Sequence, residues 1–557
     1  MLLSLVPVSM AQEQELMTVT LLGTEPLGLV SFEDAQKTES WKEFEKLAAS
    51  YGIKLECTVV DREQYPTVLQ AQIASGKLPD MFQAEVLSAV DRTNLIESGL
   101  IRPINELLEY SNGTATWSYS EGWMKDAIAN NTYVDGKIWY LCDMDHYVSI
   151  MADEYNMGIP LYQMLIRQDW LDRLNLPMPN TMDELFDTLV AFSENDMNGD
   201  GIKNERMVLD MRTVTTLWGG FFDSGLSGWF GLANYPFQMN RGNGKVDIPY
   251  LQEGFADYIR FLKRCIDAGV LFMGDDIGKQ DTVEASLIAE NVISMYYGMT
   301  RVDTAGKPAE AIYSAIPAIQ GSSAPVVTSN ALFADLCYDQ FGFSASGDVK
   351  AQAALLDMFC SREYGVWYYY GQEGITYVVD PDTGAWKDIN PTSPADVVSG
   401  GYGKGRFFGY SGFLPNINII SYLDSYKGQP VQFASFDEFL ASPYFNEYYL
   451  PLYPDKESRI RLAIDENLKY LNYLPNNDRS ASLSICTLEQ GEILDMYESE
   501  LYTFMDELNA NLLNGNWSLD HLPDYLAEME GMGLYEVRDV YQQLFDVYNA
   551  GFGRTFE

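Results

Sequence analysis

Hydrophobic positions change their period in an orderly way along this chain. From Leu16 the text LMTVTLLGTEP is apolar and β-branched and stops at a Gly/Pro turn, which predicts a strand. TESWKEFEKLAASYG follows. Its apolar residues Trp41, Phe44, Leu47 and Ala48 recur at helical spacing, and Gly52 closes the helix. IKLECTVVD reads as a second strand. YPTVLQAQIASGKLPDMFQA reads as a helix, a glycine turn and a short strand over 80–83. Strand, helix, strand, helix, strand predicts a parallel α/β sheet.

A second pattern of the same kind begins after DGKIWYLCDMD, residues 135–145. IPLYQMLIRQDWLDRLNLP is a strand running into a helix that Pro177 ends. NTMDELFDTLVAFSEND is a helix that Asn180 or Thr181 can cap, with Asp183 and Glu184 at its positive start. EASLIAENVISMYYGMT gives another helix and strand, and IYSAIPAIQG is strand-like. AQAALLDMFCSREYGVWYYYGQEG reads as one helix with an aromatic end. Residues 380–430 are the loosest stretch and read as loops. From about Thr487 the chain is mainly helical.

Composition narrows the partners. The chain has 557 residues, enough for two to four domains or lobes. Lys plus Arg is 36 against 80 for Asp plus Glu, a net charge of −44. A field of that sign repels nucleic acid and anionic lipid and favours cations and neutral ligands. Six scattered cysteines form no CxxC, and the two histidines, His146 and His521, argue against a Ser-His-Asp triad or a His-rich metal site. The 37 Tyr and 10 Trp offer flat apolar faces with a hydrogen-bonding edge, which suit sugars. They suit a tyrosine-rich core equally well.

MLLSLVPVSMAQEQE opens the chain. The apolar run from Leu2 to Met10, with Ser9 and Ala11 before Gln12, reads as the end of a signal peptide, so residues 1–15 are a residual signal peptide and the protein is exported. No cysteine near the cleavage point encodes a lipid anchor, and no later apolar run reaches 18 residues.

One loop carries metal-ligand spacing. DMNGDGIKNE places Asp196, Asn198, Asp200, the Ile202 carbonyl and Asn204 at positions 1, 3, 5, 7 and 9 of a calcium loop, with Gly201 at position 6. Met207, at position 12, cannot serve a hard cation, whereas Glu205, at position 10, can. The sequence after it, VLDMRT, does not read as an exiting EF-hand helix. A solvated Asn/Gly-rich turn is the plainer alternative. Coincidence of oxygen ligands with the required glycine favours calcium, in a structural role.

The chain resembles the extracellular solute-binding proteins of ABC transporters, family 1, in their large Firmicutes-type form. Five stretches carry the resemblance in order: SWKEFEKLAASYGIKLE, LQAQIASGKLPDMF, IRQDWLDRLNLPMPNTMDELFDTLVAF, SENDMNGDGIKNE and AALLDMFCSREYGVWYYYGQEGITYVVD. In that family the calcium loop closes on a carboxylate at the place of Glu205. The resemblance implies an α/β, two-lobed, periplasmic-binding-protein-like (type II) fold with a hinge and a helical C-terminal extension. It implies lobe 1 from 16–145 plus 319–395, and lobe 2 from 146–318 plus 396–557. It also implies an oligosaccharide in the cleft between the lobes, delivery to the permease subunits of an importer, attachment at the cell surface, a monomer and no turnover.

Ligands of such sheets sit beyond the carboxyl ends of strands. Candidates there are Glu25 after the first strand, Gln83 after PDMF, Asp143 and Asp145 after IWYL, and Trp218 in TTLWGG. Tyr296 and Tyr297 close ISMYY, and Trp367 and Glu373 flank YYYGQEG. Carboxylates accept sugar hydroxyls and aromatic rings stack on sugar faces. Each aromatic could equally be core. A binder of peptide or another solute, an exported glycoside hydrolase using two carboxylates, and a surface adhesin of the same fold remain open alternatives.

Overall fold

The computed structural model describes residues 16–25, 31–84, 86–121, 132–144, 164–209, 243–272, 290–297, 310–321, 337–379 and 485–551, with short pieces at 214, 221–222, 225–233, 235–240, 287–288, 325, 327–328, 381, 386–388, 414–415, 425–426, 429–430, 441–443 and 471–473. In chain order the strands are β1 (Met17–Thr24), β2 (Ile53–Val60), β3 (Met81–Gln83), β4 (Ile101–Arg102), β5 (Tyr140–Met144), β6 (Met164–Arg167) and β7 (Arg206–Val208). Then come β8 (Gln238–Asn240), β9 (Lys245–Asp247), β10 (Leu271–Phe272), β11 (Ile293–Tyr297), β12 (Tyr313–Ala315), β13 (Val327–Thr328) and β14 (Cys337–Ser344). The chain divides into two compact units. Unit 1 holds residues 1–87, 94–144 and 339–420, and unit 2 holds 88–93, 145–338 and 421–557.

Unit 1 is built on a mixed sheet in the order β2-β1-β3-β14-β4, with β5 beside β14. β1 runs parallel to β2 and β3, and β14 runs antiparallel to β3 and β4. The helix Glu39–Ser50 starts where the Thr38 side chain accepts the Trp41 N–H. It buries Trp41, Phe44 and Ala48, one helical stripe, against the sheet side. Gly52, at φ 78°, supplies the left-handed residue that ends it. The expected single helix through MFCSREYG is two, Val349–Phe359 and Arg362–Tyr369. Ser361 makes the break: its backbone is extended and its hydroxyl accepts the Tyr364 N–H, so it starts a new helix.

The sheet of unit 2 has the order β10-β7-β11-β6-β12. β7, β10 and β11 are parallel, while β6 is antiparallel to both β11 and β12. Thr181, not Asn180, caps the helix Met182–Ser193, accepting the Glu184 N–H at 3.1 Å. A smaller sheet joins β13, Leu471–Tyr473, β8 and β9. The long helices Leu488–Asn514 and Leu534–Gly551 share one apolar core with the sheet and with the helix Phe255–Asp267. Leu508, Leu512, Val537 and Phe545 lie in it beside Trp170, Phe192 and Tyr258.

The unit boundaries differ from the expected lobes for identifiable reasons. Residues past 319 stay in unit 2 because β12 pairs with β6 and the Gly321 N–H is held by the Trp229 carbonyl at 2.8 Å. The stretch up to 420 goes with unit 1, where the Tyr364 hydroxyl donates to the Pro415 carbonyl at 2.7 Å.

Asp506 illustrates the strain that an acidic helix brings to a core. It accepts the Val214 N–H at 2.8 Å, and burial raises its carboxyl above the ordinary range. A raised carboxyl binds its proton more readily in the folded state, so folding loses stability as pH rises through the folded value. Asp506→Asn keeps an acceptor for Val214 and removes the charge. The variant is expected to melt higher than the parent at pH 7, with the gain shrinking as pH falls into the ordinary carboxylate range. Melting temperature against pH checks it, and a gain independent of pH would contradict it.

Candidate functional site

At the carboxyl end of β1 the chain continues pairing, with the Glu25 N–H donating to the Val60 carbonyl. The partly buried Glu25 carboxylate turns inward and accepts the Phe32 N–H at 2.9 Å. It shares the start of the helix Phe32–Ala35 with the cap residue Ser31, whose hydroxyl accepts the Asp34 N–H at 3.2 Å. Gln83 is fully buried. Its side-chain oxygen accepts from the Thr24 hydroxyl at 3.2 Å, and its carbonyl accepts from the Tyr65 hydroxyl at 2.7 Å. These bonds tie the ends of β1 and β3 together, so Gln83 sets the edge of the sheet and presents no side-chain surface.

Trp367 corrects the expectation most clearly. It is 5 % exposed, its ring stacks on Phe44 at 4.5 Å and 15°, and its indole N–H donates to the Ser40 carbonyl at 3.0 Å. The aromatic end of YGVWYYYG is core, because the helix Arg362–Tyr369 packs Tyr364, Trp367 and Tyr368 inward. Glu373 by contrast is exposed, in the turn that Gly374, at φ 77°, closes onto Tyr377. Asp143 lies in β5, and Tyr296 and Tyr297 end β11, by backbone position. Asp145 and Trp218 lie outside the described residues.

The loop 196–205 is closed on itself. Asp196 accepts from the Gly199 and Gly201 N–H groups at 2.9 and 3.1 Å. Asp200 accepts from the Ile202 N–H at 2.7 Å and from the Asn198 amide at 3.1 Å. Glu205 is fully buried and accepts from the Met197, Asn198 and Asn204 N–H groups. Among the described residues no three His, Cys, Asp or Glu side chains converge as a metal-holding group. The three carboxylates of the expected set, Asp196, Asp200 and Glu205, therefore do not form such a group among the described residues. The carboxylates are instead satisfied by backbone donors, which carry the nearest positive partial charge. Asn204 is different, for its buried side-chain oxygen has no hydrogen-bond partner. A buried carbonyl oxygen left without a donor is costly, and a cation is one way to satisfy it. Asp196 and Gly201 take φ of 38° and 88°, the turn conformation such a loop needs.

Two further constellations escaped the sequence reading. Arg167, 1 % exposed, forms a two-pronged pair with Asp169 at 2.8 and 2.7 Å and donates to Asn291 at 2.6 Å. Its guanidinium lies 4.0 Å from the Trp170 ring centre. Asp357, 2 % exposed, accepts from the Ser111 hydroxyl and the Asn112 and Ala115 N–H groups at 2.6, 2.7 and 2.8 Å. Neither gave a signal, because their partners lie far away in the chain or carry no motif. Cys265 and Cys360 are free thiols pushed up to about 12 by burial, so they behave as inert apolar residues at neutral pH.

No family model matches the chain. Among curated proteins it is 24% identical over 276 residues to the polygalacturonan/rhamnogalacturonan-binding protein YtcQ of Bacillus subtilis, covering 49% of each chain. It is 26% identical over 201 residues to the fructooligosaccharide ABC transporter substrate-binding protein FusA of Streptococcus pneumoniae, covering 36% of each. The chain thus spans less than half the length of the curated relatives it matches. The structural likeness is wider. FusA in complex with kestose superposes with a TM-score of 0.67 at 19% identity, covering 96% of this chain and 99% of that one. An extracellular solute-binding protein from Bifidobacterium longum subsp. infantis gives 0.67 at 17% identity, covering 96% and 98%. The alginate-binding protein AlgQ2, solved without calcium ion, gives 0.59 at 17%, covering 96% and 99%. The chain has the two-sheet mixed α/β fold of these solute-binding proteins, with its helical C-terminal region included.

Proposed function

We propose that the protein is the extracellular solute-binding component of an ABC importer and that it captures an oligosaccharide without turning it over. One observation carries most of the weight: the solute-binding fold extends over 96% of the chain. The curated relatives named above, a polygalacturonan/rhamnogalacturonan-binding protein and a fructooligosaccharide ABC transporter substrate-binding protein, point the same way. Permease subunits are the partners, the cell surface is the place of work, and a monomer is the working form. Exposed Glu373, Asp143 in β5, and Tyr296 and Tyr297 at the end of β11 are the contacts we assign. Asp145 and Trp218 join them from sequence position. The relatives' names divide between polyanionic and uncharged glycans, so the fold leaves the charge of the ligand open.

A thermal-shift panel of oligosaccharides, with peptides as controls, tests the reading. A ligand at a hundred times its Kd adds about 2.7 kcal/mol, visible as a rise of a degree or more even in a chain this large. We expect a saturable rise with one glycan class and the same glycan recovered intact after overnight incubation. Shortened products would make the protein a hydrolase. A response to peptides alone would make it a peptide binder.

The same proposal assigns a structural calcium to the loop 196–205, held by Asp196, Asn198, Asp200, the Ile202 carbonyl, Asn204 and Glu205. The buried, unpartnered Asn204 oxygen supports this fit. Calcium would pin the loop in unit 2 and take no part in ligand chemistry. In protein shown by metal analysis to carry calcium, a chelator is expected to lower the melting temperature by at least about 2 °C, the order expected from losing a saturated site in a large chain. Asp200→Ala should melt low with or without chelator. A parent protein indifferent to chelation would remove calcium from the account.

A further inference from the structure

Asparagine is followed by glycine at four places in the chain, Asn112, Asn198, Asn243 and Asn514. Asparagine is chemically labile, and a glycine nitrogen, with no Cβ beside it, has open access to the preceding side chain. When that nitrogen attacks the asparagine Cγ, an N–Cγ bond forms, the glycine N–H proton passes to solvent and negative charge develops on Oδ1. The Cγ–Nδ2 bond then breaks, and ammonia leaves with a proton from water as a succinimide ring closes. A second water adds to either ring carbonyl and opens the ring to an aspartyl or an isoaspartyl residue. The sum is an amide plus water giving an acid plus ammonia. The dipeptide ranks the four places alike, and the structure does not.

Three of the four are held. Asn198 has both ends of its amide engaged: Nδ2 donates to the Asp200 carboxylate at 3.1 Å and to the Glu290 carbonyl at 3.2 Å, and Oδ1 accepts the Asp200 N–H at 3.1 Å. Its Cγ cannot swing onto Gly199 without losing these bonds, and the Gly199 N–H is itself taken by Asp196 at 2.9 Å. Gly244 is buried, and its N–H donates to the Asn240 carbonyl at 2.8 Å between the paired strands β8 and β9. Asn514 is the last residue of the helix Leu488–Asn514, where the Gly515 N–H is shared by the Asn511 and Leu512 carbonyls. Attack there first requires giving up that closing turn.

At Asn112 none of these restraints applies. Asn112 and Gly113 are exposed, Gly113 stands at φ 111°, and nothing lies within 4 Å of the place a Cβ would take. The Gly113 N–H meets the Ser111 hydroxyl at 3.0 Å, a side-chain partner where the other glycines have a backbone carbonyl or a locked loop. Oδ1 of Asn112 accepts the Thr114 N–H at 3.0 Å, which places a donor on the atom where charge develops. Asn243 shares that last feature through the Lys245 N–H at 2.9 Å, but not the open glycine. We propose that Asn112–Gly113 is a self-modifying site, the first of the four to deamidate in the folded protein, and that isoaspartate there undoes the cap on the helix Thr114–Ser120. The Asn112 N–H donates to the buried Asp357 carboxylate at 2.7 Å, beside the Ser111 hydroxyl and the Ala115 N–H. An isoaspartyl link adds a backbone atom between residues 112 and 113, so the donors of 112 and 115 no longer share one register on Asp357. The carboxylate it creates hangs on the same Cα as the N–H that Asp357 accepts, and like charges that close oppose each other.

The test incubates the full chain in mildly alkaline buffer, folded and, separately, unfolded in urea, and follows the four Asn–Gly peptides by mass spectrometry. In urea all four are expected to react at similar rates, because the glycine alone then sets the reactivity. In the folded chain Asn112 is expected to react at least about fivefold faster than any of the others, the factor for breaking one backbone hydrogen bond before attack. Isoaspartate at residue 112 should bring faster hydrogen exchange at Ala115 in proportion to its amount. Asn112→Gln, whose longer side chain closes the ring far more slowly, should stay unmodified there and keep its Ala115 exchange slow through the same incubation. Another Asn–Gly step reacting as fast as Asn112 in the folded chain overturns the assignment. So does an intact Asn112 in folded protein at a time when the unfolded chain has reacted. Modification at Asn112 with Ala115 exchange unchanged overturns the link to the cap.

Discussion

Arg167→Ala is expected to lower stability by about 3 kcal/mol, the lower end of the cost of breaking a buried ion pair. The side chain is 1 % exposed and spends all three guanidinium nitrogens on Asp169 and Asn291. Truncation leaves the Asp169 carboxylate with only the Ile312 N–H at 3.2 Å, and it opens a cavity against Trp170. The lower end applies because the Asp169 side chain keeps 24% exposure, so water recovers part of the loss. Arg167→Lys should recover little, since one ammonium cannot reproduce a two-pronged pair and a ring contact together. Calorimetric unfolding of the three proteins at pH 7 checks this. A lysine variant as stable as the parent would show that the charge alone matters.

Asp357→Ala is expected to cost about 3 kcal/mol as well, through a different route. The helix Thr114–Ser120 has Gly113 at its cap, with no side-chain hydrogen bond of its own. Its first turn is capped from the helix Val349–Phe359, by an Asp357 carboxylate that accepts from Ser111, Asn112 and Ala115 together. Removing it strands the buried Ala115 N–H and two further donors, and a hydrogen bond to a charged group contributes about 1.5–3 kcal/mol. Asp357→Asn should be intermediate, because its amide oxygen serves some of the donors while its NH2 faces the rest. Equilibrium urea unfolding of both variants, with hydrogen exchange at Ala115, reads the effect. Slow exchange at Ala115 in the alanine variant would mean that another group has taken over the cap.

Local features were legible in advance wherever the cause lies within a few residues. Thr181, one of the two caps expected, starts its helix, Gly52 ends another, and Trp41, Phe44 and Ala48 of the expected stripe face inward, because capping and amphipathic period depend on near neighbours. Ser361 is a local miss of the same kind, a cap hidden inside a run that reads as continuous helix, and the helix Phe255–Asp267, whose apolar stripe is equally local, was not read from the sequence at all. The candidate site divides along the same line. The turn residues of the loop 196–205 were readable from spacing. Its actual hydrogen bonds were not, since Glu205 chooses between N–H donors and a cation according to how the chain closes over it.

By itself, then, the sequence determined the periods, several caps, the two α/β patterns, the acidic charge and the resemblance on which the proposed function rests, because each is a property of neighbouring residues or of a sum. Only the tertiary structure decided which polar and aromatic side chains are spent on the fold. Trp367 meets Ser40 and Phe44 across more than 300 positions, Asp357 meets Ser111 across 246, and Arg167 meets Asn291 across 124. A tryptophan, an aspartate and an arginine look alike in the chain whether they await a ligand or bury against a distant partner. The free energy that separates the two fates comes from desolvation and packing, which exist only once those partners meet.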